Sequence, residues 1–392
     1  MRSRLRRNYT KEKNLKNMRT TAIAATVAAS LVVAACGSSK SSTSQTPAAS
    51  SATSSSGSSS GKVTGGTING AGSTLAAPIY QQWGSSLKSQ GLTVNYNPVG
   101  SGAGVAQLQA ATVEFAGSDP ALKSTDKAGA KGPLLQFPVA FGAITVSYNL
   151  SGVKSGIKLD GPTVAGIFMG KIKTWSDPAI KSLNPGMSLP STSITVVHRS
   201  DSSGTTNGFT TYLSDVDPTW KSTVGKGKDV KWPTGTGAKG NSGVAAAVKQ
   251  TDGAVGYVEQ AYALENNFTY AAVKNSAGTY VLPTIQNTSA AANGIKIPAD
   301  LGISTINSAN PAAYPIVSQT FIAVYKDPCK SGGASSSTAA ALKSWLAYAF
   351  GAGQQTLGAS SSQLPYAPLP SDLVSKNNAQ LATLTCNGAA IS

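Results

Sequence analysis

Ser193-Ile194-Thr195-Val196-Val197-His198-Arg199-Ser200-Asp201-Ser202-Ser203-Gly204-Thr205-Thr206-Asn207-Gly208-Phe209-Thr210-Thr211-Tyr212-Leu213 changes its apolar period part-way along. Ile194, Val196 and Val197 form a β-branched run, as a strand requires, whereas Phe209, Tyr212 and Leu213 fall at i, i+3 and i+4, as a helix requires. The turn between them, Arg199–Thr205, therefore delivers a helix N-terminus. Free amides at such an end, with the hydroxyls of Ser202, Ser203 and Thr205 and the guanidinium of Arg199 beside them, suit a small tetrahedral oxyanion. Asp201 lies in the same cluster, where a carboxylate paired with Arg199 would hold the guanidinium fork in place. An ordinary Asp/Ser helix cap after a surface strand fits the same residues.

Two further glycine-rich turns share this composition. Asn69-Gly-Ala-Gly-Ser-Thr-Leu-Ala-Ala-Pro78 places Ser73 and Thr74 before a helix marked by Pro78 and by Ile79, Trp83 and Leu87 at spacing four. Gly100-Ser-Gly-Ala-Gly104 lies between a strand read at Leu92–Tyr96 and a helix read at Val105–Ala111. Strands at Ile144–Tyr148, Ala254–Val258 and Phe321–Tyr325 alternate with helices at Val244–Lys249 and around Leu342–Phe350, so the fold class is α/β. Open α/β sheets bind ligands at strand-to-helix turns, and three turns of one composition point to one anion site. Phe115-Ala-Gly-Ser-Asp119 adds an acid to acid-poor sequence; a helix cap before Pro120 is its plainer reading.

The chain opens with eight Lys/Arg against one acid in Met1–Arg19, then an uncharged small-apolar run from Thr20 to Ala35 ending at Cys36. That is the pattern of a lipoprotein signal peptide, residues 1–35, with Cys36 the acylated first residue of the mature chain. Residues 36–65 are nearly all Ser, Thr, Ala and Gly, too poor in apolar surface to offset ordering entropy, and read as a tether with a span of about 30 Å. Beyond residue 35 the chain carries 24 basic and 15 acidic residues, a net charge of +9, so much of the formal +16 belongs to the signal. Its lysines are scattered without interleaved aromatics, which argues against nucleic acid as a partner. Cys329 and Cys386 remain, and in an exported chain such a pair reads as one disulfide, two buried thiols being the alternative.

Several chemistries are excluded or disfavoured. The sequence has no G-x-x-x-x-G-K-[ST] and no G-x-S-x-G. Gly235-Thr-Gly-Ala-Lys-Gly240 matches G-x-G-x-x-G, but Pro233 and the polar residues before it leave no strand where a dinucleotide site needs one. His198 is the sole histidine and sits in a strand pattern beside Arg199, a poor place for a general base. With no histidine cluster, a metal site is not expected, nor is any cofactor or catalytic residue.

Taken in order, Gly70-Ala-Gly-Ser-Thr74, Asn95-Tyr-Asn-Pro-Val-Gly-Ser101, Ala116-Gly-Ser-Asp119, Gln136-Phe-Pro138, Gly170-Lys-Ile-Lys-Thr-Trp175, Arg199-Ser-Asp-Ser-Ser-Gly-Thr205, Lys231-Trp-Pro233, Gly253-Ala-Val-Gly-Tyr-Val-Glu259 and Tyr314-Pro315 resemble the PstS-type phosphate-binding proteins of high-affinity phosphate ABC importers. The resemblance runs from about residue 66 to 370 and implies a two-lobed type II periplasmic-binding-protein fold with hinge crossings. It places lobe one at 66–144 and 317–392 and lobe two at 145–316. It implies phosphate contacts from Thr74, the amide of Leu75, Ser101, Asp119, Arg199, Ser203, Gly204 and Thr205, with Asp201 orienting Arg199. It also implies a non-enzymatic, monomeric binder, anchored outside the cytoplasm by lipid, that serves a membrane permease and its ATPase. A phosphatase or phosphotransferase, and a phosphate-capturing surface protein without a transporter, are the competing readings.

Overall fold

The computed structural model describes residues 63–391. The signal segment, Cys36 and the tether up to residue 62 lie outside the described residues. Val63 packs on the core, and the Thr64 amide donates to Ser344 Oγ at 3.0 Å, so the last tether residues already lie against the folded body. Among the described residues no helix is long and apolar enough to cross a membrane.

The strands in chain order begin with β1 (Gly66–Gly72), β2 (Leu92–Asn97), β3 (Phe115–Ser118), β4 (Leu134–Tyr148), β5 (Lys158–Leu159), β6 (Thr195–Arg199) and β7 (Thr236–Ala238). They continue with β8 (Ala254–Glu259), β9 (Thr269–Tyr270), β10 (Ala272–Lys274), β11 (Tyr280–Val281), β12 (Val317–Tyr325), β13 (Thr385–Cys386) and β14 (Ala389–Ala390). The main sheet runs β2-β1-β3-β12-β4-β8-β6-β7, with β9 beside β4. β1, β2 and β3 are mutually parallel, as are β6, β7 and β8, and the antiparallel β12 and β4 separate the two groups.

β4 joins these two half-sheets. Its first part, Leu134–Ala143, pairs with β12, and its last part, Ile144–Tyr148, pairs with β8. Nearly every residue of this fifteen-residue strand is buried, which explains its continuous apolar run in place of an alternating one. At the changeover the Ile144 amide donates to the Ile316 carbonyl at 2.8 Å, one residue before β12 begins.

Helices cover the half-sheets. In Ala77–Lys88 the buried face is Ile79, Tyr80, Trp83 and Leu87, and in Ser336–Phe350 it includes Leu342, Trp345, Leu346, Ala349 and Phe350. Tyr80, Trp83, Phe115 and Trp345 pack ring against ring near β1 and β3, with Tyr80 and Trp345 centroids 5.8 Å apart. Phe168, Phe209, Trp232 and Tyr257 make a second aromatic group around β8. Apart from the half-buried Trp232, each of these rings is buried and stabilises by about 1.5–3 kcal/mol. Cys329, in Pro328–Gly332, is joined to Cys386 in β13 by a disulfide with Cα atoms 5.0 Å apart.

Two local expectations are corrected. The helix read at Val105–Ala111 spans Ser101–Gln109, so Ser101–Gly104 form its first turn and only Gly100, at φ +96°, remains the glycine that enters it. Ala111 has left the helix at φ +58°. No strand precedes Gly235, as expected; a short strand, β7, lies inside the motif instead, paired with β6 and followed by the helix Gly240–Gln250. Asp119 caps no helix: it follows β3, and the next helix, Ser124–Ala128, is preceded by Lys123.

Candidate anion site

The loops that carry the candidate residues leave the carboxyl ends of parallel strands, where an open α/β sheet gathers ligand-binding groups. β1 leads to Ser73 and Thr74, β2 to Ser101, β3 to Asp119, β6 to Arg199 and the helix Gly204–Val216, and β7 to Gly240 and Asn241. Serine and glycine dominate because the backbones come close. At Gly204 a Cβ would collide with an Asp119 carboxylate oxygen and lie 2.5 Å from Ser101 Oγ, so only glycine lets the helix N-terminus meet the β3 end. The Gly102 amide donates to the Ser202 carbonyl at 3.0 Å, tying the β2 loop to the β6 loop.

Asp119 is 1% exposed. Ser73 Oγ donates to its Oδ1, Ser101 Oγ donates to its Oδ2 at 3.3 Å, and Gln319 Nε2 donates to its carbonyl at 3.1 Å. Burial pushes its carboxyl up to about 6, against the lowering effect of the neighbouring hydroxyls and of the Arg199 charge.

Arg199 is 3% exposed and paired through one edge of its guanidinium. Nε donates to Asp201 Oδ1 at 2.7 Å, and Nη2 donates to Asp201 Oδ2. Nη1 is buried without a partner, a cationic donor left free for an incoming anion. Burial raises the Asp201 carboxyl, but hydrogen bonding and charge from Arg199 and the Gly240 amide at 3.0 Å outweigh it, and the group stays below its ordinary range. Asp201 thus remains an ionised brace for the arginine.

Ser203 caps the helix, its Oγ accepting from the Thr206 amide at 3.0 Å. Thr205 Oγ1 and Thr74 Oγ1 both accept from Asn241 Nδ2, at 3.1 and 2.9 Å, and Thr74 Oγ1 also accepts from the Asn241 amide at 3.2 Å. Leu75 is buried, with its side chain against Gly142. The structure therefore brings Thr74, Ser101, Asp119, Arg199, Asp201, Ser203, Gly204 and Thr205 into one connected cluster, with Leu75 next to Thr74 in its wall. Cys329 and Cys386 instead tie the helix Pro328–Gly332 to the C-terminal hairpin.

Sequence reading missed Ser73 as an Asp119 partner and missed Asn241 and Gly240 altogether. The signal for the latter two was the strand-to-helix pattern at Gly235–Gly240, set aside with the dinucleotide motif. His198 takes no part in the cluster: it stacks on Trp232 at 4.8 Å, and its Nδ1 lies 3.0 Å from the Arg199 carbonyl.

Comparison with known proteins gives the lineage. A family model described as a PBP superfamily domain matches residues 40–352. The chain is 41% identical over 321 residues to the phosphate-binding protein PstS of Pasteurella multocida, covering 81% of this chain and 90% of that one. It is 36% identical over 323 residues to phosphate-binding protein PstS 3 of Mycobacterium leprae, covering 79% and 85%. Among solved structures it resembles PfluDING, a high-affinity periplasmic phosphate-binding protein solved with phosphate bound, at 25% identity and a TM-score of 0.64, covering 83% of this chain and 96% of that one. The two-lobed periplasmic-binding fold, the shared lengths and these identities agree, and the chain belongs to the PstS-type phosphate-binding proteins of the PBP superfamily.

Proposed function

We infer that this chain is a solute-binding protein that captures inorganic phosphate between two lobes and delivers it to an ABC importer. The observation that carries this reading is the buried, unpartnered Nη1 of Arg199, in a cluster whose other members are hydroxyls, a helix N-terminus and one carboxylate of raised pKa. Such a set offers several donors and one acceptor, the complement of a tetrahedral anion that still carries a proton. Thr74, the Leu75 amide, Ser101, Ser203, the Gly204 amide and Thr205 would donate to phosphate oxygens. Asp119 would accept the phosphate proton, Arg199 would supply the charge, and Asp201 would hold Arg199.

The half-sheet arrangement supports lobes at 66–144 with 317–392 and at 145–316, hinged where β4 changes partner and where the chain enters β12. Closure around the ion excludes water and strengthens each hydrogen bond. The signal pattern supports an extracytoplasmic chain held to the membrane by lipid on Cys36, acting as a monomer with a permease and an ATPase. The similar proteins are named as phosphate-binding proteins, and the one histidine stacks on Trp232 away from the cluster, which supports binding rather than hydrolysis.

Calorimetric titration of phosphate-stripped protein with phosphate, sulfate and molybdate tests the assignment. The expected result is one tight site for phosphate and weak or no binding of the others. Equal binding of phosphate and sulfate, or none of phosphate, would refute it.

A further inference from the structure

Glu259, the last residue of β8, is a second buried carboxyl that the anion cluster does not use. It is 0% exposed, and among the described residues it has no ion-pair partner. Its Oε1 is buried without a hydrogen-bond partner, over Gly142 of β4. Its Oε2 accepts from the Ala261 amide at 2.8 Å, which caps the helix Gln260–Glu265. The Tyr366 hydroxyl lies 2.8 Å from the same Oε2 and 2.7 Å from the Leu75 carbonyl.

Counting hydrogens favours a neutral acid, because only then are both Tyr366 contacts hydrogen bonds. Tyr366 has one phenolic hydrogen and two oxygen neighbours, and the Leu75 carbonyl can only accept. With that hydrogen on Leu75, the contact at 2.8 Å is a hydrogen bond only if Glu259 carries a proton and donates it. An ionised Glu259 would instead leave a charged Oε1 buried with no donor at all. The surroundings agree: burial raises the Glu259 carboxyl well above its usual range, and the Asp119 charge raises it further, against the lowering effect of the Tyr366 contact and of the Ala261 and Gln260 amides.

The same element reaches the anion cluster by another contact. Tyr262, on the helix that Glu259 caps, donates to the Thr74 carbonyl at 2.7 Å. That carbonyl belongs to the peptide group whose other end is the Leu75 amide. The Glu259 amide also donates to Asn241 Oδ1 at 3.0 Å, and so fixes the side chain that holds Thr74 and Thr205.

We propose that Glu259 is kept as a neutral acid that donates to Tyr366, and that Glu259, Tyr366 and Tyr262 are positioning residues which hold the carbonyls on either side of Leu75 so that its amide points into the anion pocket. The positioning half rests on the phosphate reading above; the neutral acid does not.

Infrared difference spectroscopy at neutral pH on the unliganded full-length protein, wild type against Glu259→Gln, reads the acid directly. A protonated-carboxyl C=O band present in wild type and absent in the variant is expected, and Tyr366→Phe should move it as the acid loses its acceptor. Absence of the band in wild type overturns the neutral acid whatever the ion proves to be. Phosphate titration of Tyr366→Phe and Tyr262→Phe, with folding checked by thermal melting, then reads the positioning. Affinity should fall about tenfold in each, with sulfate still rejected; wild-type affinity in both folded variants overturns it. A wild-type protein that fails to bind phosphate would refute the functional reading and with it the positioning role, while leaving the infrared result to stand alone.

Discussion

At the residue scale, the proposed phosphate reading gives Asp119 the choice among anions. Near neutral pH phosphate retains a proton and sulfate has none, so an ionised Asp119 accepts from the first and repels the second. In a water-excluded site this supports discrimination on the order of 10⁴. Because Asp119 titrates at about 6, above its ordinary value, its proton is favoured by the folded protein. Its contribution to the stability of the ion-free form is therefore greatest at low pH and is lost as pH rises through about 6. Sulfate should begin to compete as pH falls through about 6, and Asp119→Asn should admit sulfate at neutral pH while losing less phosphate affinity; competition calorimetry across pH checks both. Arg199→Ala should weaken both anions by at least tenfold, since it removes charge and leaves Asp201 unpaired. Asp119, Arg199 and Asp201 were legible because charges are rare in this sequence and these three sit at strand ends. Asn241 and Ser73 were not, because an amide and a hydroxyl in a polar loop look alike until the fold shows which ones face an oxygen. Glu259 was quoted only as part of a motif, since nothing in Gly253–Glu259 reveals that its carboxyl would be sealed from water.

At the element scale, the helix N-terminus at Gly204 matters more than any single hydroxyl on it. Gly204→Ala keeps the helix, for alanine has the higher propensity, but it sets a methyl group against Asp119 and Ser101. Phosphate affinity should fall by more than a hundredfold and the melting temperature should drop too, because the methyl group overpacks a buried contact, as calorimetry and thermal melting of the variant would show. The Cys329–Cys386 disulfide is the opposite kind of device. It closes a loop of 57 residues far along the chain, worth about 4 kcal/mol by chain entropy, and touches no anion-site residue. Cys329→Ser with Cys386→Ser should lower stability by about that amount in denaturant titration and leave phosphate affinity as it was. Strands and helices with a clear period, such as Thr195–Arg199 and Ser336–Phe350, were readable to within a few residues. β7 was not, because Thr-Gly-Ala, short and weak in strand propensity, becomes a strand only when β6 lies beside it. The extra length of β4 was hidden too: Leu134–Ala143 is apolar on both faces, so its period does not announce where the strand begins.

At the scale of the whole molecule, the chain behaves as two parallel half-sheets that share one strand. A ligand contacting both shifts the open and closed populations by its difference in affinity for the two states. The motif order made this architecture legible, but the sequence alone could not show that Ala143 and Ile144, adjacent on one strand, pair with β12 and β8 respectively. The proposed hinge lies at that junction, where bending breaks no ladder within either half. Small-angle scattering of phosphate-stripped protein, with and without saturating phosphate, tests the closure directly. The radius of gyration should fall on adding phosphate and stay constant on adding sulfate. A profile that does not change with saturating phosphate would contradict capture between two moving lobes.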